Sequence, residues 1–195
     1  MRTPRQLVLA STSPYRKELL ARLGLRFKTV PPQCDETPLA GETPAATALR
    51  LSLAKARSLQ QRYPEALIIG SDQVAARAGR RFDKPGNHAN ALAQLRALSG
   101  KALDFHTAVS LLDCNSSHSQ SRMVPCRVTF RRLGRSRIEA YLRREQPYDC
   151  AASAKAEALG IALIARIETD DPTSLIGLPL IALTEMLERA GLAVL

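Results

Sequence analysis

The 195 residues, 45% of them hydrophobic, suffice to bury one sizeable core, and with no low-complexity tract they imply a single domain with room for two lobes. The longest apolar runs, such as 66–70 and 161–165, fall far short of the roughly 20 residues that span a bilayer, and no apolar signal segment follows Met1, so a soluble, cytoplasmic protein is expected. The net charge of +10 favours anionic partners, yet scattered arginines are more often solvated surface than a specific nucleic-acid reader, and 4% aromatics with no Trp argue against a base-stacking platform.

In chain order, Leu7–Ala10 reads as a short buried strand. Ser13-Pro14 then opens a helix in which Leu19, Leu20 and Leu23 recur at helical spacing before Gly24. Phe27–Val30 is the next expected strand, followed by a proline-rich, acidic loop over 31–38. Thr43-Pro44 repeats the cap-plus-proline signal and starts a helix to about Tyr63. The run 67–70 reads as a second buried strand ending at Ser71-Asp72-Gln73, with 74–77 as its hairpin partner before a basic glycine turn over 78–81. Asn87 caps a helix to Leu98, and 102–112 and 122–130 read as an antiparallel pair joined by a serine-rich turn. A helix over 136–144, a strand near 160–167 and a final helix over 178–190 complete the chain. Helices and strands alternate, so the fold class is α/β.

Cys34, Cys114, Cys126 and Cys150 are widely spaced with no CxxC pair, which reads as reduced thiols rather than a zinc site. Neither a Walker A loop nor a GxGxxG fingerprint is present, which disfavours a P-loop kinase or a Rossmann dehydrogenase. The strand-turn-helix from Leu9 to Lys17 has the parts of an anion cradle: backbone N–H groups at a helix start, the hydroxyls of Ser11 and Ser13, and two cations, Arg16 and Lys17. Those cations oppose the helix dipole, which favours acids at that end, so a bound anion would explain them better than capping alone. Asp35-Glu36 follows one strand and Asp72 ends another, so carboxylates could meet at one sheet edge and hold Mg²⁺ or Mn²⁺ carrying phosphates; solvated loop acids are the plainer alternative. Lys55 and Lys84 are either point charges for phosphate or ordinary surface.

The ordered set 9–16, Asp35-Glu36-Thr37, Lys55, Gly70-Ser71-Asp72-Gln73, Lys84-Pro85, His106-Thr107 and Gly177-Leu178-Pro179-Leu180 resembles the Maf family of nucleotide pyrophosphatases, over about residues 6–190. The resemblance implies a Maf/ITPase-like α/β fold, a twisted mixed sheet flanked by helices in two lobes around a central cleft, often as a homodimer. It also implies hydrolysis of a nucleoside triphosphate to the monophosphate and pyrophosphate with a divalent cation, Mg²⁺ or Mn²⁺, and no organic cofactor. Tyr15, Gln73 and Glu157 are most like the branch acting on 7-methyl-GTP, where the dTTP/UTP branch has arginine, threonine and glutamine. An aromatic face at Tyr15 could stack on the cationic methylated guanine for about 1 kcal/mol or more, Glu157 could accept from the guanine N–H edge, and Gln73 could complete the polar rim. By the same resemblance Asp72 is the general base, Glu36 with Asp72 the metal ligands, and Ser11, Ser13, Arg16, Lys55 and Lys84 the triphosphate contacts. Asp83, Ala152, Ala154 and Ala158 depart from the branch's pattern, with glycine expected at 83, 152 and 158 and an aromatic at 154. The competing readings are a dTTP/UTP pyrophosphatase of the same family and a non-hydrolytic nucleotide-binding or nucleic-acid-binding module.

Overall fold

Every residue of strand β1 (Leu7–Ala10) is buried, the pattern of a strand covered on both faces. In this computed structural model, which describes residues 5–195, β1 pairs in parallel with β2 (Phe27–Val30) on one side and with β3 (Leu67–Arg77) on the other. Helix α1 (Pro14–Ala21) leaves the end of β1 with Ser13 as its N-cap, and α2 (Pro44–Arg57) starts from the Thr43 cap as expected. It stops before Tyr63, because the chain tightens into shorter-range bonds, Leu59 N–H to Ala56 O and Gln60 N–H to Arg57 O.

The break expected at Ser71-Asp72-Gln73 does not occur. β3 continues to Arg77, and its hairpin partner is the short β4 (Arg80–Arg81). The polar run stays inside the strand because each side chain has a partner: Ser71 donates to Ala108 O, Asp72 accepts from Lys55, and Gln73 donates to Thr107. Then follow α3 (His88–Leu98), capped by Asn87, β5 (Ala102–Asp113), β6 (His118–Phe130) and α4 (Arg135–Glu145). The strand expected near 160–167 is shorter, β7 (Ile164–Glu168), because Leu159–Leu163 forms a 3₁₀ turn; α5 (Leu180–Arg189) ends the chain's regular structure. Among the described residues the seven strands form one mixed sheet in the order β2-β1-β3-β5-β6-β7, with β4 on β3.

Two compact units divide the chain, one of residues 1–73, 107–124 and 171–195, the other of 74–106 and 125–170. In the first, side-chain alternation along the strands builds two cores. Leu7, Leu9, Leu67, Ile69, Val109 and Leu111 pack with Leu19 and Leu20 of α1 and with Leu183, Met186 and Leu187 of α5. The intervening Val8, Ala10, Ile68 and Leu112 pack with Ala56 of α2 and with Leu59 just beyond it. In the second unit α3 lies on α4, burying Ala91, Leu95, Leu98, Ile138 and Leu142. All four cysteines are free thiols, and among the described residues no helix is long and apolar enough to cross a membrane.

Candidate active site

β1 has a parallel neighbour on each side, so the chains leaving β1 and β2 diverge and open a crevice at the carboxyl end of the strands, the usual ligand position in such sheets. Three segments supply it, all in the first unit: the turn from β1 into α1, the loop after β2, and β3 just beyond the pair Ala10 and Gly70. Ser11, buried, accepts at Oγ from the Ser13 N–H at 3.1 Å, and Ser13 Oγ accepts from the Arg16 N–H at 3.4 Å. Each hydroxyl therefore acts as an acceptor within the protein and keeps its proton to donate to an anion.

Lys55, on α2, is 5% exposed, and its ammonium lies 2.6 Å from Asp72 Oδ1 and 2.8 Å from Glu36 Oε2. Asp72 is itself buried, whereas Glu36 is more than half exposed. Burial puts Lys55 and Asp72 in a medium where neither charge is stable without the other. The lysine thus gathers two carboxylates from separate segments onto one point. Burial lowers the pKa of the Arg16 guanidinium, and the carboxylates of Asp72 and Glu36 pull it back up. The thiol of Cys34, half-buried near the same group, is pushed up first by burial and then by Glu36, which keeps it protonated at neutral pH.

Residues 174–177 form the fourth side, and of them only Gly177 belonged to a sequence motif. Gly177 O accepts from Arg16 Nε and from Ser71 Oγ, both at 2.8 Å; Ser174 O accepts from Thr107 Oγ1 at 2.9 Å and from Gln73 Nε2 at 3.0 Å; Leu175 O accepts from Gln73 Nε2 at 3.1 Å. The partners are backbone carbonyls, which every residue possesses, so only Gly177-Leu178-Pro179-Leu180 hinted at this segment. The Gln73 amide nitrogen is thus committed to Thr107 and to the carbonyls of Ser174 and Leu175. Gly177 has φ +122, a backbone conformation that residues with a side chain rarely adopt.

Lys55 thus joins Asp72 and Glu36, Ser11, Ser13 and Arg16 are linked at the start of α1, and Arg16 and Gln73 share the 174–177 carbonyls, with Tyr15 half-buried on α1. Lys84 and Glu157, both exposed, belong to the second unit. Glu157 sits on a turn whose ends α4 fastens: Tyr141 Oη accepts from the Lys155 N–H, and Glu145 Oε2 from the Leu159 N–H. A Cβ on Gly160 would come within 2.7 Å of the Lys155 backbone, so the turn closes only on glycine. Of the four departures, only Ala152 occupies a conformation that favours glycine, with φ 58 and ψ 15; Ala154 and Ala158 have negative φ, and Asp83 has no positive φ. His106 Nδ1 is buried with no hydrogen-bond partner among the described residues, and burial lowers the pKa of this ring against the opposing pull of Asp104.

No group of three or more His, Cys, Asp or Glu suited to a metal exists among the described residues. Two carboxylates suffice for Mg²⁺ when a substrate's phosphates and water complete the shell. Charge makes the same demand. Lys55 and Arg16 offset Asp72 and Glu36, so the four together offer a triphosphate no net positive charge. Glu36 and Asp72 therefore fit a divalent cation that arrives with phosphates.

The family model described as Maf-like protein matches residues 6–190. The chain is 58% identical to the 7-methyl-GTP pyrophosphatase of Cupriavidus pinatubonensis (strain JMP 134 / LMG 1197), over 95% of this chain and 94% of that protein. It is 57% identical to the 7-methyl-GTP pyrophosphatase of Thiobacillus denitrificans (strain ATCC 25259 / T1), over 100% and 96%. It is 50% identical to the protein of the same name in Albidiferax ferrireducens (strain ATCC BAA-621 / DSM 15236 / T118), over 98% and 96%. This chain belongs to the Maf family.

Proposed function

We propose that this protein is a nucleoside triphosphate pyrophosphatase that converts 7-methyl-GTP to 7-methyl-GMP and pyrophosphate. The reaction class rests on the buried Lys55 that joins Asp72 and Glu36 beside the start of α1. The substrate rests on near-full-length identity with relatives of that name.

Asp72 orients a water and takes its proton as the water oxygen bonds to the α-phosphorus. The bond from that phosphorus to the bridging oxygen of the β-phosphate breaks, and pyrophosphate leaves with the electron pair. Lys55 holds Asp72 in place. Ser11, Ser13 and Arg16 bind phosphate oxygens, with Lys84 as a further phosphate contact, and stabilise charge where it develops. Glu36 and Asp72 would hold a divalent cation, which would neutralise charge on the phosphate chain. Tyr15 stacks on the methylated base, Glu157 accepts from its N–H edge, and Gln73 completes the polar rim while fixing the 174–177 backbone. A cytoplasmic location and a homodimer belong to the same reading; light scattering tests the dimer.

The test is pyrophosphate release with Mg²⁺ or Mn²⁺ on 7-methyl-GTP, GTP, dTTP and UTP, with Asp72→Asn in parallel. We expect preference for 7-methyl-GTP and a loss of about 10²–10⁴ in turnover for the variant, with nucleotide binding little changed. Normal turnover of Asp72→Asn removes the base; preference for dTTP or UTP removes the base pocket and keeps the chemistry.

A further inference from the structure

The strongest concentration of positive charge lies in the second unit, which carries 15 Lys and Arg against 8 Asp and Glu, a net +7 of the chain's +10. Apart from Lys84, the phosphate residues proposed above belong to the first unit. Within the second unit is an open cavity of about 430 Å³ lined by Arg131, Arg137, Arg144, Tyr141, Leu159 and Leu163. Arg137, Tyr141 and Arg144 recur at helical spacing, so α4 turns all three to one side. The acids of the same helix are engaged elsewhere, Glu139 with His88 and Arg135, and Glu145 with Lys155. Among the described residues none of the three arginines forms an ion pair.

Three unpaired guanidinium groups around one hollow repel each other, and an anion carrying several charges relieves that repulsion. Guanidinium groups pair with phosphate oxygens in bidentate fashion. The rest of the lining is different in kind: it includes the half-buried Leu159 and the buried Leu163 and Tyr141, which are mainly non-polar. The cavity volume falls within the range of small-molecule cavities. We propose that this cavity is a second ligand site, which takes a small molecule bearing a chain of phosphates, the phosphates on Arg131, Arg137 and Arg144. An organic polyphosphate, with its non-polar part on these non-polar residues, and free inorganic polyphosphate share this chemistry.

The site is read by binding, without hydrolysis, so it does not stand or fall with the pyrophosphatase reaction. The full chain is titrated with inorganic tripolyphosphate and, separately, with a nucleoside triphosphate, without divalent metal, while the arginine Nε–Hε NMR signals are followed. The expected result is saturable shifts, with one affinity, of signals that disappear in Arg137→Gln/Arg144→Gln. That double variant keeps the wild-type melting temperature and weakens binding at this site at least tenfold. Arg132→Gln/Arg143→Gln, which removes equal charge from exposed positions outside the lining, leaves it unchanged. Equal weakening by both double variants, or shifts that drift without saturating, overturns the proposal. Tighter binding of the nucleotide identifies an organic phosphate as the ligand; equal binding identifies the inorganic chain.

Discussion

At Asp171 one buried carboxylate fastens two pieces of chain. Its Oδ1 accepts from the Thr173 N–H at 3.1 Å and the Thr173 hydroxyl at 2.6 Å, and its Oδ2 accepts from the Ile181 N–H at 2.8 Å. Ile181 lies in the first turn of α5, whose own N-cap position is Pro179 and offers no side-chain acceptor. Asp171→Ala removes the shared acceptor of these three part-buried bonds, and we expect a loss of roughly 1–2 kcal/mol in urea unfolding. The opposite sign is expected at Ala152, fully buried at φ 58. A left-handed alanine is strained by about 1–2 kcal/mol, part of which glycine returns as extra freedom of the unfolded chain. Ala152→Gly should therefore stabilise by roughly 0.5–1 kcal/mol, and a lower urea midpoint would remove this account of the site.

Between elements, the distance from α2 to β3 is set by Gly70. A Cβ there would lie 2.0 Å from Ser52 O and 2.8 Å from Ala56 N, both helix backbone. Side chains can rotate away from such a clash, but backbone cannot, so Gly70→Ala must push α2 off the sheet. The expected cost is about 1–3 kcal/mol. Because α2 carries Lys55 and β3 carries Asp72, the same displacement stretches their 2.6 Å contact. Turnover should fall well beyond what the residual folded fraction explains, as circular dichroism and pyrophosphate release on one preparation would show. Residues 174–177 form the other inter-element clamp, received by Arg16 from α1, Ser71 and Gln73 from β3 and Thr107 from β5.

For the whole molecule, acid sensitivity follows from two carboxylates. The guanidinium of Arg50, with bonds from the Leu39 N–H and the Thr47 hydroxyl, holds Glu42 down to about 2, and Arg5 with the amides of Asn115 and Ser116 holds Asp113 down to about 2. A carboxylate whose folded pKa is depressed contributes stability that is present above its unfolded value and is lost as pH falls towards the folded one. The unfolded values are near 4.5 and 3.8, so the urea midpoint should hold from pH 7 to about 5 and decline between about 5 and 2. Glu42→Gln should flatten that decline; an unaltered slope would assign the acid sensitivity elsewhere.

Local chemistry along the chain was enough to place both cap-plus-proline helices, the buried run of β1 and the turn that carries Ser11 and Ser13 into α1, because caps, prolines and hydrophobic period act over a few residues. The motif set was enough to name the family and to single out Asp72, Glu36 and Lys55. Three things were decided only in the folded chain. β3 continued through Ser71-Asp72-Gln73 because partners distant in sequence satisfied those polar groups. Glu36, Lys55 and Asp72 met because a parallel sheet divides on either side of β1. The 174–177 carbonyls became the wall of the site because backbone groups are identical in every residue, and only tertiary packing selects which of them a side chain reaches.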